Sequence, residues 1–265
     1  QSANFTISAS PLSLTVEVNN SADYTAKLGD ALEYTLKYRN NADVAFQNVA
    51  LQAKLVGELF DFPSVQTGAA FNSLSNTFLW NVANTSALAS FAPGQEGSVS
   101  LRINVKPAFP VRRLSDKNYS LRLEAQIESP TVPQGTAAAK TQSLETLETK
   151  VAGELRVNAK AFLSGAALGA ANTGPYPPRV NQTTQYTVHW TVSTYGVDVS
   201  NIELSGFLQS GARFTGKVKS SIESVPVYDA ASGRIMWTIP ALPANKGYVG
   251  APAEAVFQIE FENGF

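Results

Sequence analysis

Apolar residues recur at every second position in run after run of this chain. Successive side chains of a β-strand point to opposite faces, so a period of two marks a strand with one buried face, whereas a helix needs a period near 3.6. Leu12, Leu14, Val16 and Val18 share one face, and Ser13, Thr15 and Glu17 the other. Leu32, Tyr34, Leu36 and Tyr38 alternate with Glu33, Thr35, Lys37 and Arg39 after a turn-rich stretch from Asn19 to Asp30. Val49, Leu51, Ala53 and Leu55 follow, then Phe78, Trp80 and Val82. Val99, Leu101, Ile103 and Val105 form the next face, then Leu121, Leu123, Ala125 and Ile127. Pro, Gly and Asn punctuate the runs, which fits antiparallel sheets with one wet face each. No segment carries a sustained helical stripe; Ser143 to Val151 comes nearest, and its Leu144, Leu147 and Val151 suit an irregular strand equally well. The chain reads as all-β.

Composition then removes whole classes of function. There is no cysteine, hence no disulfide, thiolate metal site or cysteine nucleophile. The single histidine, His189, rules out a multi-histidine metal centre and weakens most general-base schemes. Twenty basic and 21 acidic residues leave a formal charge of -1, which offers no electrostatic attraction for nucleic acid or an anionic membrane. No apolar run is long enough to span a bilayer as a helix. No cofactor is expected. Beginning at Gln1 rather than Met, the chain reads as a processed product or an excerpt of a longer protein.

The same order of strands recurs at an offset near 150 residues, the signature of an internal repeat. Leu155, Val157 and Ala159 match the opening strand. Gln185 to Trp190 echoes Glu33 to Tyr38, and Asn201 to Leu204 echoes Asn48 to Leu51. Ile235 to Ile239 echoes Phe78 to Val82, Leu242 to Gly247 echoes Ala92 to Gly97, and Ala255 to Ile259 echoes Val99 to Ile103. The expected organisation is a spare strand within residues 1–9, one sandwich over 10–152 and a second over 153–265, with the boundary near Lys150 to Glu154.

The order Gly29-Asp30, a Tyr-Thr strand, an Asn-containing turn and a second apolar strand, from Leu28 to Leu55, resembles a known family. It is similar to the immunoglobulin-like conserved repeat found in tandem on large bacterial and archaeal cell-surface proteins. In that family a Pro-Gly segment precedes a strand, as Pro93-Gly94 precedes Val99 to Val105 here, and a later strand follows the pattern of Tyr119 to Glu128. The second copy departs from it, with Asn181-Gln182 at the Gly-Asp position and a longer loop from Ala161 to Arg179. The resemblance implies two tandem antiparallel immunoglobulin-like β-sandwiches in an extracellular, cell-surface setting. It brings no catalytic residue with it.

The two copies end differently. The second has no counterpart to Tyr119 to Glu128, and so lacks its last strand, while Asn4, Phe5, Thr6, Ile7 and Ser8 form a spare strand ahead of the first. An unfilled sandwich leaves unpaired backbone and an apolar groove. Later residues of a longer chain complete it, or the N-terminal strand of another subunit does, with Ala255, Phe257, Ile259 and Phe261 as the expected acceptor edge. Repeated head to tail, such donation does not close and builds a filament.

The expected function is thus a non-enzymatic structural subunit of a surface filament, layer or stalk, and the alternative is an adhesin or ligand-binding module using sandwich-end loops. Alternation turns His189 outward, with no companion nucleophile. Trp80, Trp190 and Trp237 suit core positions better than a sugar platform. Asp23, Asp30, Asp43 and Asp61 lack calcium-loop spacing, and Glu154 is the one carboxylate placed for an interdomain cation. Lys37, Lys54 and Lys106 fall on the outward phase, whereas an intramolecular Lys–Asn crosslink needs an inward lysine. Asn4, Asn19, Asn84, Asn118 and Asn181 begin Asn-x-Ser/Thr sequons, with Asn84 expected to be accessible in a loop. The Ala161 to Pro178 loop reads either as a contact surface or as a mobile hairpin.

Overall fold

The computed structural model describes residues 10–134, 138–164, 167–169 and 171–262. It is all-β, with 56% of residues in strands and 1% in helix. The chain forms two compact units. The first runs to Pro110 and resumes over Tyr119–Ala152; the second takes Val111–Asn118 and the residues from Gly153 onward. A segment expected inside the first sandwich therefore packs with the second unit.

In the first unit the strands are β1 (Leu12–Val18), β2 (Thr25–Ala26), β3 (Ala31–Asn40), β4 (Phe46–Gln47), β5 (Ala50–Val56), β6 (Phe60–Thr67), β7 (Ala70–Asn72), β8 (Thr77–Trp80), β9 (Ser90–Phe91), β10 (Glu96–Val105), β11 (Ser120–Ser129) and β12 (Thr141–Val151). One sheet has the order β1-β3-β10-β6 and the other β2-β12-β11-β5-β8-β7, while β4 and β9 pair separately. The inward phases of β1, β3, β5, β10 and β11 are buried without exception. Val82 is exposed, because β8 ends at Trp80 and the chain turns at once, with the Asn81 N–H donating to Asn84 Oδ1. Thr141–Val151 is a strand along its length; Leu147 and Val151 are buried and Leu144 is exposed.

The second unit contains β13 (Glu154–Phe162), β14 (Thr183–Tyr195), β15 (Val199–Phe207), β16 (Ala212–Ser220), β17 (Val227–Asp229), β18 (Arg234–Leu242) and β19 (Ala253–Glu262). Its sheets have the orders β13-β14-β19-β16 and β15-β18-β17. Trp190, Ile202, Leu204, Trp237, Ile239 and Phe257 are among the residues of its core.

Register makes the repeat concrete. Leu51 faces Trp80 in the first unit, and Leu204 faces Trp237 in the second. Asn48, just before β5, and Asn201, unpaired within β15 at the matching position, both adopt left-handed backbone with φ of 49° and 55°, a region that asparagine tolerates better than other side chains do. Gly29 (φ 80°) and Asn181 (φ 55°) share it at the Gly-Asp position, so asparagine meets there the backbone demand that glycine meets in the first copy. One sequence equivalence shifts. Val99 pairs with Leu36 and Ala255 with Trp190, and the turn hydrogen bond from Asn40 N–H to Gln95 O recurs from Thr194 N–H to Lys246 O. Trp190 therefore corresponds to Leu36, not to Tyr38. A slip of two residues keeps every side chain on its face, so alternation alone does not detect it.

The largest difference lies in the second sheet. In the first unit β11 lies beside β5, β12 lies beside β11, and both pack against β1. Among the described residues the second unit has a counterpart to neither.

Candidate functional site

Two surfaces of the second unit differ from the first. One is the edge of β15, which among the described residues hydrogen-bonds on one side only, to β18. The other is the inward face of β13. Through their pairing with Thr194 and Asn40, Leu155 corresponds to Leu12, and two residues further Val157 corresponds to Leu14. Leu12 and Leu14 are 0% and 4% exposed; Leu155 and Val157 are 41% and 53% exposed. Ala159 and Ala161, next on the same face, are exposed as well. The alternating pattern of β13 is thus that of a strand with a core beneath it, yet among the described residues its inward face stays exposed.

The expected acceptor residues do not line that edge. Ala255, Phe257, Ile259 and Phe261 belong to β19, which is paired with β14 on one side and β16 on the other. Ala255 and Phe257 are buried in the core. The first unit explains the misplacement: β10, the strand equivalent to β19, is central, and the strands after it cross to the opposite sheet beside β5. The expected donor, Asn4, Phe5, Thr6, Ile7 and Ser8, lies outside the described residues.

On the outer face of the same four-stranded sheet, His189 is half-buried rather than free in solvent. Its Nδ1 sits 2.7 Å from Glu254 Oε1, and the Phe162 ring meets it edge-on at 4.9 Å between centroids. Asn158, Lys160 and Thr191 complete the rim of a hollow of about 160 Å³. It contains no serine or cysteine to act as nucleophile, and the imidazole is tied to a carboxylate on the neighbouring strand. No group of three or more metal-ligating side chains converges among the described residues.

Part of the long loop is laid on this outer face by one side chain. Asn172 donates from Nδ2 to Phe162 O, and its Oδ1 accepts from Thr187 Oγ1 at 3.0 Å and from Gln258 Nε2 at 2.8 Å. Gln258 and Thr187 are buried beneath it. Tyr176 is 82% exposed on the same loop.

The segment Val111–Asn118 is held by Asn245, a fully buried side chain in left-handed backbone. Its Nδ2 donates to Asp116 O at 2.7 Å and to Arg113 O at 3.2 Å, and its Oδ1 accepts from Gly196 N–H. Lys117 pairs with Asp198. That hydrogen bond, with one from Ala244 N–H, holds the Asp198 carboxyl below the usual carboxylate range. Asp116 is lowered by the N–H groups of Arg112 and Arg113. Sequence reading misses this cluster, because its contacts span 46 to 132 residues of chain and none is marked by a local pattern.

Trp80 and Trp237 are buried at matched positions, Trp237 donating to Ser224 O, and Trp190 packs edge-on against Phe257 at 5.0 Å. Asp30 Oδ2 accepts from Lys27 N–H and Tyr24 Oη and so closes the turn before β3. Lys37 pairs with Glu17, Lys106 donates to Glu58 O, and Glu154 pairs with Arg156. Asn84, Asn118 and Asn181 are exposed; Asn19 is half-buried, donating to Ala31 O and accepting from Glu33 N–H. Asn84 Nδ2, though exposed, donates to Leu79 O.

No family model and no curated protein matches the chain. Among solved structures, the C-terminal domain of the Streptococcus pyogenes antigen I/II-family protein AspA aligns over 96% of this chain and 92% of its own, at 12% identity and a TM-score of 0.42. The C-terminal domain of the Streptococcus agalactiae AgI/II polypeptide BspA aligns over 95% and 92%, at 12% identity and a TM-score of 0.38. No described helix is long and apolar enough to cross a membrane.

Proposed function

We propose that this chain is a non-enzymatic structural protein of the cell surface, a subunit or segment of a filament, layer or stalk, held together by β-strands passed between polypeptides. The observation that carries the reading is in the second unit, where, among the described residues, β15 pairs on one side only and the β13 face is patterned for burial yet exposed. Added strands satisfy the backbone groups of such an edge and specify their own register through alternate side chains. Asn4 to Ser8 of a neighbouring copy is the proposed donor for self-assembly, running along β15. Head-to-tail repetition then extends without closing. Exposed Asn84, Asn118 and Asn181 are proposed glycan acceptors in an extracellular setting. Light scattering on the purified chain tests the assembly. Growth with concentration that disappears when residues 1–10 are removed is expected; a monomer in both cases overturns it.

A surface adhesin or ligand-binding module is the second reading. It rests on Tyr176, presented almost bare on a loop of the second unit that is otherwise anchored by Asn172. Exposed aromatic side chains with a polar tip are frequent binding anchors. Retention on immobilised glycans or matrix proteins that falls on Tyr176→Ala would favour this reading over assembly.

A further inference from the structure

On the outer face of the second unit, the hollow beside His189 occupies a place that the first unit builds differently. Deepening the ligand-binding reading, on which it rests, we infer that this hollow binds one pyranose ring of a saccharide. Register locates the difference. Asn158, Thr191 and Glu254 lie in one cross-strand row and match Thr15, Lys37 and Ser98 of the first unit. In the next row Lys160 faces His189, as Glu17 faces Thr35. In the first unit Lys37 reaches Glu17 at 2.6 Å, so a long side chain and its ion pair lie over this place. The hollow of that unit opens on the far side of the pair, among Ser13, Arg39, Glu96 and Ser98, with no exposed aromatic side chain in it. In the second unit the short Thr191 stands where Lys37 would, and the floor is open. Phe162, 42% exposed, supplies a wall where the first copy, at Asn19, has already left its strand. The loop that distinguishes the second copy fixes that wall, since Asn172 Nδ2 donates to Phe162 O.

The groups brought together suit hydroxyls carried on a ring. The Asn158 amide and the Thr191 hydroxyl both donate and accept, and Lys160 donates. Glu254, held through Oε1 by His189 at 2.7 Å, keeps its second oxygen as an acceptor. A sugar hydroxyl also donates and accepts, so each of these side chains can serve it. A ligand bearing a single charge meets its own sign, at Glu254 or at Lys160. The C–H groups on one side of a pyranose suit the electron-rich face of the Phe162 ring. A hollow of about 160 Å³ takes one such ring, and the rest of a longer saccharide would lie in solvent. The His189–Glu254 and Asn172–Phe162 hydrogen bonds hold acceptor and wall before the ligand arrives, which lowers the ordering cost of binding.

His189 is the single histidine of the chain, so its imidazole Cε1–H gives one unambiguous nuclear magnetic resonance signal. The full chain is titrated at constant pH with glucose, galactose, mannose and N-acetylglucosamine, and with glucitol, an open-chain polyol. At least one of the four sugars is expected to move the His189 signal along a saturating curve with a half-point of about 1–10 mM, the range open to a single small ring. Glucitol is expected to leave the signal in place. Thr191→Lys, which restores the first copy's side chain over the floor, and Phe162→Ala should each weaken that sugar by about tenfold or more. Phe162→Trp keeps an aromatic face and should retain binding, and Tyr176→Ala should not change it. A His189 signal that no sugar moves, or that glucitol moves as far, overturns the inference. Binding that survives either Thr191→Lys or Phe162→Ala overturns it too. Retention on glycans or matrix proteins that falls on Tyr176→Ala while His189 stays unmoved would sink this site and leave the ligand-binding reading standing.

Discussion

Leu12 and Leu155 hold the same register position in the two units, opposite Asn40 and Thr194, yet Leu12 is fully buried and Leu155 keeps 41% of its surface exposed. The contrast isolates what the second sheet contributes, because the strands themselves are alike.

Truncation should therefore act unequally on the two. Leu12→Ala removes a side chain from a closed core and should cost about 2–5 kcal/mol. Leu155→Ala removes half-hydrated surface and should cost less than about 1 kcal/mol in the isolated chain. Urea unfolding followed by tryptophan fluorescence separates the units, since Trp80 reports on the first and Trp190 and Trp237 on the second. Equal losses at the two positions would mean that something covers β13 in solution.

Asn245→Ala should loosen the Val111–Asn118 segment. The variant strips the buried carbonyls of Arg113 and Asp116 of a donor and leaves a residue ill suited to φ of 62°. Trypsin cleavage after Arg112 and Arg113 should become faster, as seen by mass spectrometry of timed digests. A digestion rate equal to that of the parent would show that Lys117–Asp198 and the backbone contacts suffice.

Asn172→Ala should free the loop before β14 at a cost of about 1–3 kcal/mol, because Gln258 and Thr187 lose the Oδ1 acceptor they share. Hydrogen exchange should quicken near Thr187 and Gln258 and stay unchanged in the first unit. Uniform quickening across the second unit would indicate global destabilisation instead.

Two pH limits follow from opposite shifts. Asp198 and Asp116 have lowered folded-state values, Asp198 chiefly through the Lys117 hydrogen bond and Asp116 through backbone N–H groups. Their stabilisation is present above the unfolded value of about 3.9 and disappears as pH falls through the folded one, so Asp198→Asn should flatten the acid limb of the stability profile. Burial pushes the Tyr34 phenol up to about 12, with the Thr149 hydroxyl offsetting part of the rise. The stabilisation tied to its neutral form is full below the unfolded value of about 10 and is lost as pH rises toward 12. Tyr34→Phe should remove that alkaline loss and one late-titrating phenol from the ultraviolet titration. A tyrosine titration unchanged by the substitution would sink the assignment.

Alternation and turn chemistry alone settle a good deal about this protein. They place the inward faces of β1, β3, β5, β10 and β11, the repeat, and the positions of Trp80 and Trp237, because side-chain direction in a strand is a local property of the backbone. The tertiary structure decided the rest. It placed β19 between two strands and left β15, among the described residues, paired on one side, shifted Trp190 by two residues relative to Tyr38, gave His189 its carboxylate partner and drew Val111–Asn118 onto Asn245. Each of these depends on which strand lies beside which. A period of two is unchanged by a slip of two residues or an exchange of neighbours, so it records which face a residue takes and not what covers that face.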